Sequence, residues 1–100
     1  MREYVIRAKT GGEFDIPHPQ WKDVYRPRSF SSEVIEGWGA LRLLVAGFEV
    51  SFSPEPPGTC VYIESDNMNA DMADQIVNEI LSSAEQYTGV EGEVILTSEA

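Results

Sequence analysis

The chain contains no lysine, arginine or histidine after Arg42, although it continues to residue 100. At ordinary composition, a stretch of that length would hold roughly seven cations. The net charge of −10 arises in this cation-free region, because the first 42 residues are close to neutral. Its carboxylates are Glu49, Glu55, Glu64, Asp66, Asp71, Asp74, Glu79, Glu85, Glu91, Glu93 and Glu99. Such a field of one sign repels nucleic acid and anionic membranes and attracts cationic partners.

Cysteine and long apolar runs are also scarce. A single cysteine, Cys60, excludes an internal disulfide and gives no support to a secreted disulfide scaffold. No run approaches the roughly 18 apolar residues of a membrane span, and the N-terminus lacks the apolar core of a signal peptide. We therefore expect a cytoplasmic protein without membrane contact, with residues 1–100 forming a single domain.

Motifs that carry chemistry are missing as well. The sequence has no glycine-rich phosphate loop, nucleophile elbow or zinc-ligand spacing, so no cofactor is predicted. The alternating Asp and Asn residues of 66–71 suggest a calcium loop, but Met72 and Asn78 replace its glycine and glutamate. No metal site is predicted. His18 and Cys60 could form a base–nucleophile pair, but no third group orients them, so a small enzyme is the least favoured hypothesis.

A β-hairpin centred on Ala46-Gly47 is the clearest local structure that the sequence predicts, with a three-residue loop and a bulge as the alternative to a two-residue turn. It places six large apolar side chains on one face, from Leu41, Leu43, Val45, Phe48, Val50 and Phe52. A shift of one residue would mix this set with Arg42, Leu44, Glu49 and Ser51, so the pattern specifies the register. A third strand at 59–64 extends the apolar face if Val61 lies opposite Phe52, after a type II turn at Pro57-Gly58.

A helix is predicted from about residue 70 to residue 88, with Asn69 as its N-cap and Gly89 as its stop. Apolar residues at helical spacing would cover the apolar face of the sheet: Ala73, Ile76, Val77, Ile80, Ala84 and Tyr87. Strands at 4–8 and 93–97 complete the pattern. The predicted fold class is α+β, with an antiparallel β-sheet of four to five strands, one α-helix packed on one face, and the order β-loop-β-β-β-α-β.

Residues 10–39 form a long, irregular, aromatic-rich segment. Half of the chain's ten aromatic residues lie there, namely Phe14, Trp21, Tyr25, Phe30 and Trp38. A disordered linker would be poor in aromatic residues, so we expect an ordered excursion packed on the body of the domain. Its predicted position is the second face of the sheet, where it would cover Leu44, Cys60 and Tyr62.

The charge pattern favours a small acidic binding protein that covers a basic surface of a protein partner. The expected contact residues are the helix carboxylates, two carboxylates of the polar sheet face and three aromatic anchors: Asp71, Asp74, Glu79, Glu85, Glu49, Glu64, Trp21, Tyr25 and Trp38. Glu85 is notable because a cation would suit the C-terminal end of a helix better. In gross composition the chain resembles small acidic inhibitors of the toxin-immunity or anti-defence type. That resemblance implies a basic partner such as a nucleic-acid enzyme or toxin, and it transfers no site residues.

Lys22, Arg26 and Arg28 alternate with aromatic residues as in a nucleic-acid contact, but the surrounding field has the wrong sign, so no direct nucleic-acid binding is expected.

Two further hypotheses stay open. The first alternative is a structural or oligomerisation subunit that associates through a sheet edge or through the aromatic segment. The second is that the acidity serves solubility in general. The sequence does not fix the oligomeric state.

Overall fold

The computed structural model describes residues 1–56 and 58–99. In that range the chain forms, in order, β1 (Arg2–Ala8), α1 (Trp21–Val24), β2 (Ser32–Val34), β3 (Leu41–Val45), β4 (Phe48–Glu55), β5 (Gly58–Glu64), α2 (Ala70–Thr88) and β6 (Gly92–Glu99). A 3₁₀ turn, His18–Gln20, leads directly into α1. The predicted α+β class is confirmed. The turn predicted at Pro57-Gly58 includes Pro57, which lies outside the described residues.

All the strands described here join one antiparallel sheet in the order β2-β3-β4-β5-β1-β6. The sheet therefore has six strands rather than four to five, and α1 is a second, short helix. The strand that the sequence did not predict is β2, which has only three residues, too few for a recognisable alternation. The N-terminal strand β1 lies between β5 and β6, so β2 and β6 form the two edges.

The predicted hairpin is confirmed residue by residue. Leu43 lies opposite Val50 in the β3–β4 pair, and Phe52 lies opposite Val61 in the β4–β5 pair. Ala46 and Gly47 both have positive φ values, 50° and 82°, as a two-residue type I′ turn requires. Glycine adopts this conformation readily, whereas alanine does so at a cost.

Helix α2 begins and ends where the sequence predicts. The Asn69 side chain accepts a hydrogen bond from the Met72 amide at 3.1 Å, and Gly89 has a φ of 72° at the C-cap. The apolar stripe of the helix is buried up to Ala84. Tyr87, which was predicted to belong to that stripe, lies beyond the last buried residue and is 51 % exposed.

The placement of residues 10–39 was predicted wrongly for most of the segment, which packs on the same sheet face as α2, whereas Trp38 meets Tyr62 on the second face as predicted. The buried side chains of the segment belong to the main core, and the Tyr25 ring stacks on Phe52 with centroids 5.2 Å apart. The width of the sheet explains this. Six strands span about 24 Å, whereas one helix is about 10 Å wide, so α2 leaves part of the apolar face uncovered. The aromatic residues of the segment cover the remainder, and the Ser83 hydroxyl ties it to α2 by donating to the Arg26 carbonyl at 3.0 Å.

Candidate binding surface

The sheet face turned away from α2 carries no helix in the described part of the chain, and we call it the open face. Alternation along the paired strands assigns to it Glu3, Val5, Arg7, Glu33, Arg42, Leu44, Glu49, Ser51, Ser53, Glu55, Cys60, Tyr62, Glu64, Glu93 and Ile95. One solvated face is common in antiparallel sheets. The charges of this face are uneven, since six carboxylates share it with two arginines.

The strongest electrostatic feature of the open face is a row that crosses four strands. Glu49 and Glu64 lie directly opposite each other, and Glu33 lies opposite Leu44 in the same row. Like charges placed directly opposite destabilise a sheet. The Arg42 side chain contacts Glu49 at 3.1 Å, whereas the side chains of Glu33 and Glu64 have no ion pair or hydrogen bond with any described residue. The row is therefore left with an uncompensated negative charge.

A shallow cavity opens beside the two opposed carboxylates. It has a volume of about 240 Å³ and is lined by Met1, Gly47, Glu49, Glu64, Ser65 and Asp66. Its walls are mostly polar and include three carboxylate side chains. A cavity lined in this way suits a cationic group better than an anion.

Trp38 is an exposed aromatic residue that lies over the open face. Its ring meets Tyr62 edge to face, with centroids 5.0 Å apart and an angle of 81° between the planes, yet the residue stays 57 % exposed. The flanking Gly37 allows this placement, because a Cβ at that position would lie 2.4 Å from the Arg42 side chain. The loop thus places an exposed indole against Tyr62, over the open face.

Tyr62, which contacts this indole, and Cys60 on the same strand are not poised for chemistry. Burial and a hydrogen bond to Glu55, at 3.3 Å, raise the pKa of the Cys60 thiol to about 11. Burial, followed by the charges near the ring, raises the pKa of Tyr62 to about 12. A protonated thiol is a poor nucleophile. His18 contacts the Ala40 carbonyl at 3.1 Å instead, so the structure gives the suspected base and nucleophile separate partners.

Three of the four helix carboxylates predicted to contact a partner are engaged inside the fold. Asp74 accepts hydrogen bonds from the Tyr4 hydroxyl at 2.7 Å and from Arg2 at 3.1 Å. Glu79 accepts from the Ser29 amide at 2.7 Å, and this bond lowers the pKa of the Glu79 carboxyl. Asp71 is exposed and has no partner in the range described.

Glu85 is the third of these engaged carboxylates, and its position now has a structural explanation. Its side chain accepts a hydrogen bond from the Gly92 amide at 2.8 Å, where β6 begins. A lysine there would suit the helix dipole but could not accept that bond. The presence of an acidic residue at the end of α2 is thus no evidence for a partner.

Two of the three predicted anchors are core residues, which corrects their assignment as contact residues. Trp21 is 6 % exposed and donates its indole N–H to the Ile16 carbonyl at 3.0 Å, while Tyr25 is fully buried. Both pack on the same sheet face as α2 and cover the part of it that the helix does not reach. Their spacing of four residues indicates helical packing, whereas the Gly-Trp-Gly sequence around Trp38 indicates an exposed loop. This difference in local sequence could have distinguished the buried Trp21 and Tyr25 from the exposed Trp38.

No protein-family model matches the chain, and searches of curated proteins and of solved structures find no match either. Among residues 1–56 and 58–99, no group of three or more His, Cys, Asp or Glu side chains is placed to hold a metal ion. None of the helices in that range is long and apolar enough to cross a membrane. The geometry of the open face is therefore the basis for assigning a function.

Proposed function

We propose that this chain is a small cytoplasmic binding protein that covers a basic surface of another protein, as inhibitors of the toxin-immunity or anti-defence type do. The contact is made by the open face. One observation carries the proposal: an exposed tryptophan, Trp38, lies on a sheet face whose opposed carboxylates, Glu49 and Glu64, lack sufficient internal cations.

The proposed mechanism separates steering from anchoring. The carboxylates of the open face attract Lys and Arg groups over a distance and raise the association rate at low salt. A cation of the partner then enters the cavity beside Glu49 and Glu64 and removes the repulsion between them. Trp38 and Leu44, both exposed, supply the apolar contact that slows dissociation.

General acidity for solubility explains this arrangement less well. Solubility requires only dispersed surface charge, and it does not call for like charges in direct cross-strand contact. It also disfavours an exposed indole, which adds apolar surface. The opposed carboxylates lower folding stability, and the indole exposes apolar area. Contact with a cationic partner compensates for both.

The first experiment compares two variants of equal net charge against the partner, isolated by affinity capture from the native host and then purified. The test variant carries Glu33→Gln, Glu49→Gln and Glu64→Gln. The matched control carries Asp15→Asn, Asp23→Asn and Asp71→Asn, which are exposed carboxylates away from the open face. At low salt we expect the test variant to associate about tenfold more slowly and with a weaker salt dependence, and the control to change much less. Equal slowing in both variants would show that only the total charge matters.

The second experiment concerns the anchor. Trp38→Ala is expected to raise the dissociation rate by about thirtyfold, the equivalent of roughly 2 kcal/mol for a central interface residue. Tyr87→Ala removes a similarly exposed aromatic side chain that lies off the open face and should leave the rate unchanged. Unchanged dissociation in Trp38→Ala would remove the indole from the interface.

A further inference from the structure

Strand β6 is a sheet edge with no further strand beside it among residues 1–56 and 58–99, and it is longer than β2, the strand at the other edge. It has eight residues against three in β2, and it contains no lysine or proline, which natural proteins commonly place on edges to block pairing. Ile95 and Leu96, near its centre, are 38 % and 44 % exposed. They lie on opposite faces of the sheet, because Ile95 pairs with Val5 and Leu96 with the core residue Tyr4.

The hydrogen-bond alternation shows which backbone groups of β6 point away from the sheet. The Lys9 amide donates to the Glu91 carbonyl at 2.9 Å, so Lys9 and Glu91 form a hydrogen-bonded pair. Such pairs recur at every second residue of an antiparallel ladder, which places Ile95 in another of them. The N–H and C=O groups of Val94 and Leu96 therefore face outward. The outward amide of Gly92 is already bonded to Glu85.

The charges along β6 are compensated, in contrast to those of the open-face row. Three ion pairs connect residues 91–99, which include β6, with residues 2–9, which include β1. They join Arg7 with Glu93 at 2.8 Å, Lys9 with Glu91 at 2.9 Å, and Arg2 with Glu99. The cations of the N-terminal strand thus neutralise the edge of an otherwise acidic region. A second acidic chain can approach here with little local repulsion.

We infer that β6 pairs with β6 of a second copy of this chain, antiparallel and about a two-fold axis at Ile95. In this register Ile95 lies opposite Ile95 of the other copy, and Val94 lies opposite Leu96 in two symmetric pairs. The register uses the free outward groups of Val94 and Leu96 and leaves the Gly92 amide with Glu85. Centring the axis on Val94 instead would require the Gly92 amide, which is occupied.

The occupant of this edge is a second copy rather than the basic partner. A basic strand would gain no net attraction from an edge whose carboxylates are already paired. A continuous sheet across the axis leaves the open face of each copy exposed, so this inference does not depend on the proposed function. The two events also respond oppositely to salt, which weakens contact with a basic protein but screens repulsion between two acidic chains.

Sedimentation of the purified chain at increasing concentration tests the pairing. The wild type is expected to form a dimer that is retained or strengthened at high salt. Leu96→Lys places a cation beside the outward amides and is expected to raise the dimer dissociation constant by about tenfold or more. Leu44→Lys makes the same change at a similarly exposed leucine of the interior strand β3 and should leave dimerisation intact. A wild type that stays monomeric, or equal effects of the two substitutions, would overturn the inference.

Disulfide cross-linking tests the register. Opposed Ile95 residues occupy a non-hydrogen-bonded pair, whose Cα atoms are about 4.5 Å apart and within disulfide reach. Ile95→Cys is therefore expected to give a covalent dimer rapidly on mild oxidation. Leu96→Cys, with its diagonal separation of about 7 Å or more, should react much more slowly. The buried Cys60 has a raised thiol pKa and should not compete. Equal rates, or faster cross-linking of Leu96→Cys, would exclude this register.

Discussion

The two faces of the sheet meet different physical demands. On the face packed against α2 and residues 10–39, side chains such as Leu43, Val50 and Phe52 are fully buried, and their identity follows from packing. On the open face, Leu44 is 38 % exposed and Trp38 is 57 % exposed, and opposed carboxylates weaken the strand pairing. Folding therefore explains the first face and does not explain the second. The residues of the open face are the ones whose identity points to binding.

The largest expected difference between the two faces is in the stability lost when an aromatic ring is deleted from each. Phe52→Ala should destabilise the fold by about 3–5 kcal/mol, because it empties a fully buried site and removes the ring stacked on Tyr25. Trp38→Ala should cost less than about 1 kcal/mol, because most of its surface already faces water. Chemical denaturation of both variants measures the difference. Similar losses would show that Trp38 is part of the folding core.

Alkaline pH should act through tyrosines of both faces, because the pKa of Tyr62 on the open face is raised as far as those of Tyr4 and Tyr25 on the packed face. Burial raises the pKa values of Tyr4 and Tyr25 to about 12, whereas an unfolded tyrosine ionises near 10. Above about pH 10 the unfolded state loses protons that the folded state keeps, so stability falls as the pH rises, by about 2 kcal/mol per tyrosine at pH 12. Denaturation between pH 8 and pH 12 measures this loss. A stability that stays level across that window would contradict the burial of the Tyr4 and Tyr25 hydroxyls.

Tyr4 and Tyr25 should respond differently to loss of the hydroxyl group. The Tyr4 hydroxyl accepts from Arg2 at 2.8 Å and donates to Asp74, so Tyr4→Phe should destabilise by about 1–2 kcal/mol. The Tyr25 hydroxyl is buried and makes no hydrogen bond of normal geometry with any described residue, although the nearby Thr59 side chain acts against the rise in its pKa that burial causes. Tyr25→Phe should therefore be neutral or stabilising by about 1 kcal/mol. Thermal unfolding of the two variants measures both changes in stability. A loss of stability in Tyr25→Phe would show that the Tyr25 hydroxyl forms a hydrogen bond.

The smallest expected effect separates stability from binding on the open face. Glu64→Gln removes one of two opposed charges and should stabilise the fold by about 0.2–0.5 kcal/mol while weakening the contact with a basic partner. Glu79→Gln is the comparison on the packed side. It removes the charge from the group that accepts the Ser29 amide hydrogen bond, so this substitution should destabilise the fold. Urea midpoints of the two variants are expected to move in opposite directions. A destabilising Glu64→Gln would mean that the open-face row is compensated.

Periodicity and turn chemistry made much of the fold predictable from the sequence. The β3–β4 hairpin, β5 and α2 were predicted correctly because each is specified by residues close in the chain. The face covered by residues 10–39 was not predictable in that way, since it depends on the width of a sheet that β2 and β6 complete. The internal partners of Asp74, Glu79 and Glu85 were not predictable for a related reason. Asp74, for example, meets Arg2 only because β1 inserts between β5 and β6.

The most direct test of the proposed binding role of the open face is an NMR titration of the isotope-labelled chain with a hexa-arginine peptide at low salt. The two tryptophans give separate indole N–H signals, and one of them is a built-in control. We expect the Trp38 indole and the Glu49 and Glu64 amides to shift, and the buried Trp21 indole to stay in place. Added salt should reverse the shifts. The largest shifts on α2, around Asp71, with Trp38 unmoved, would contradict a binding role for the open face.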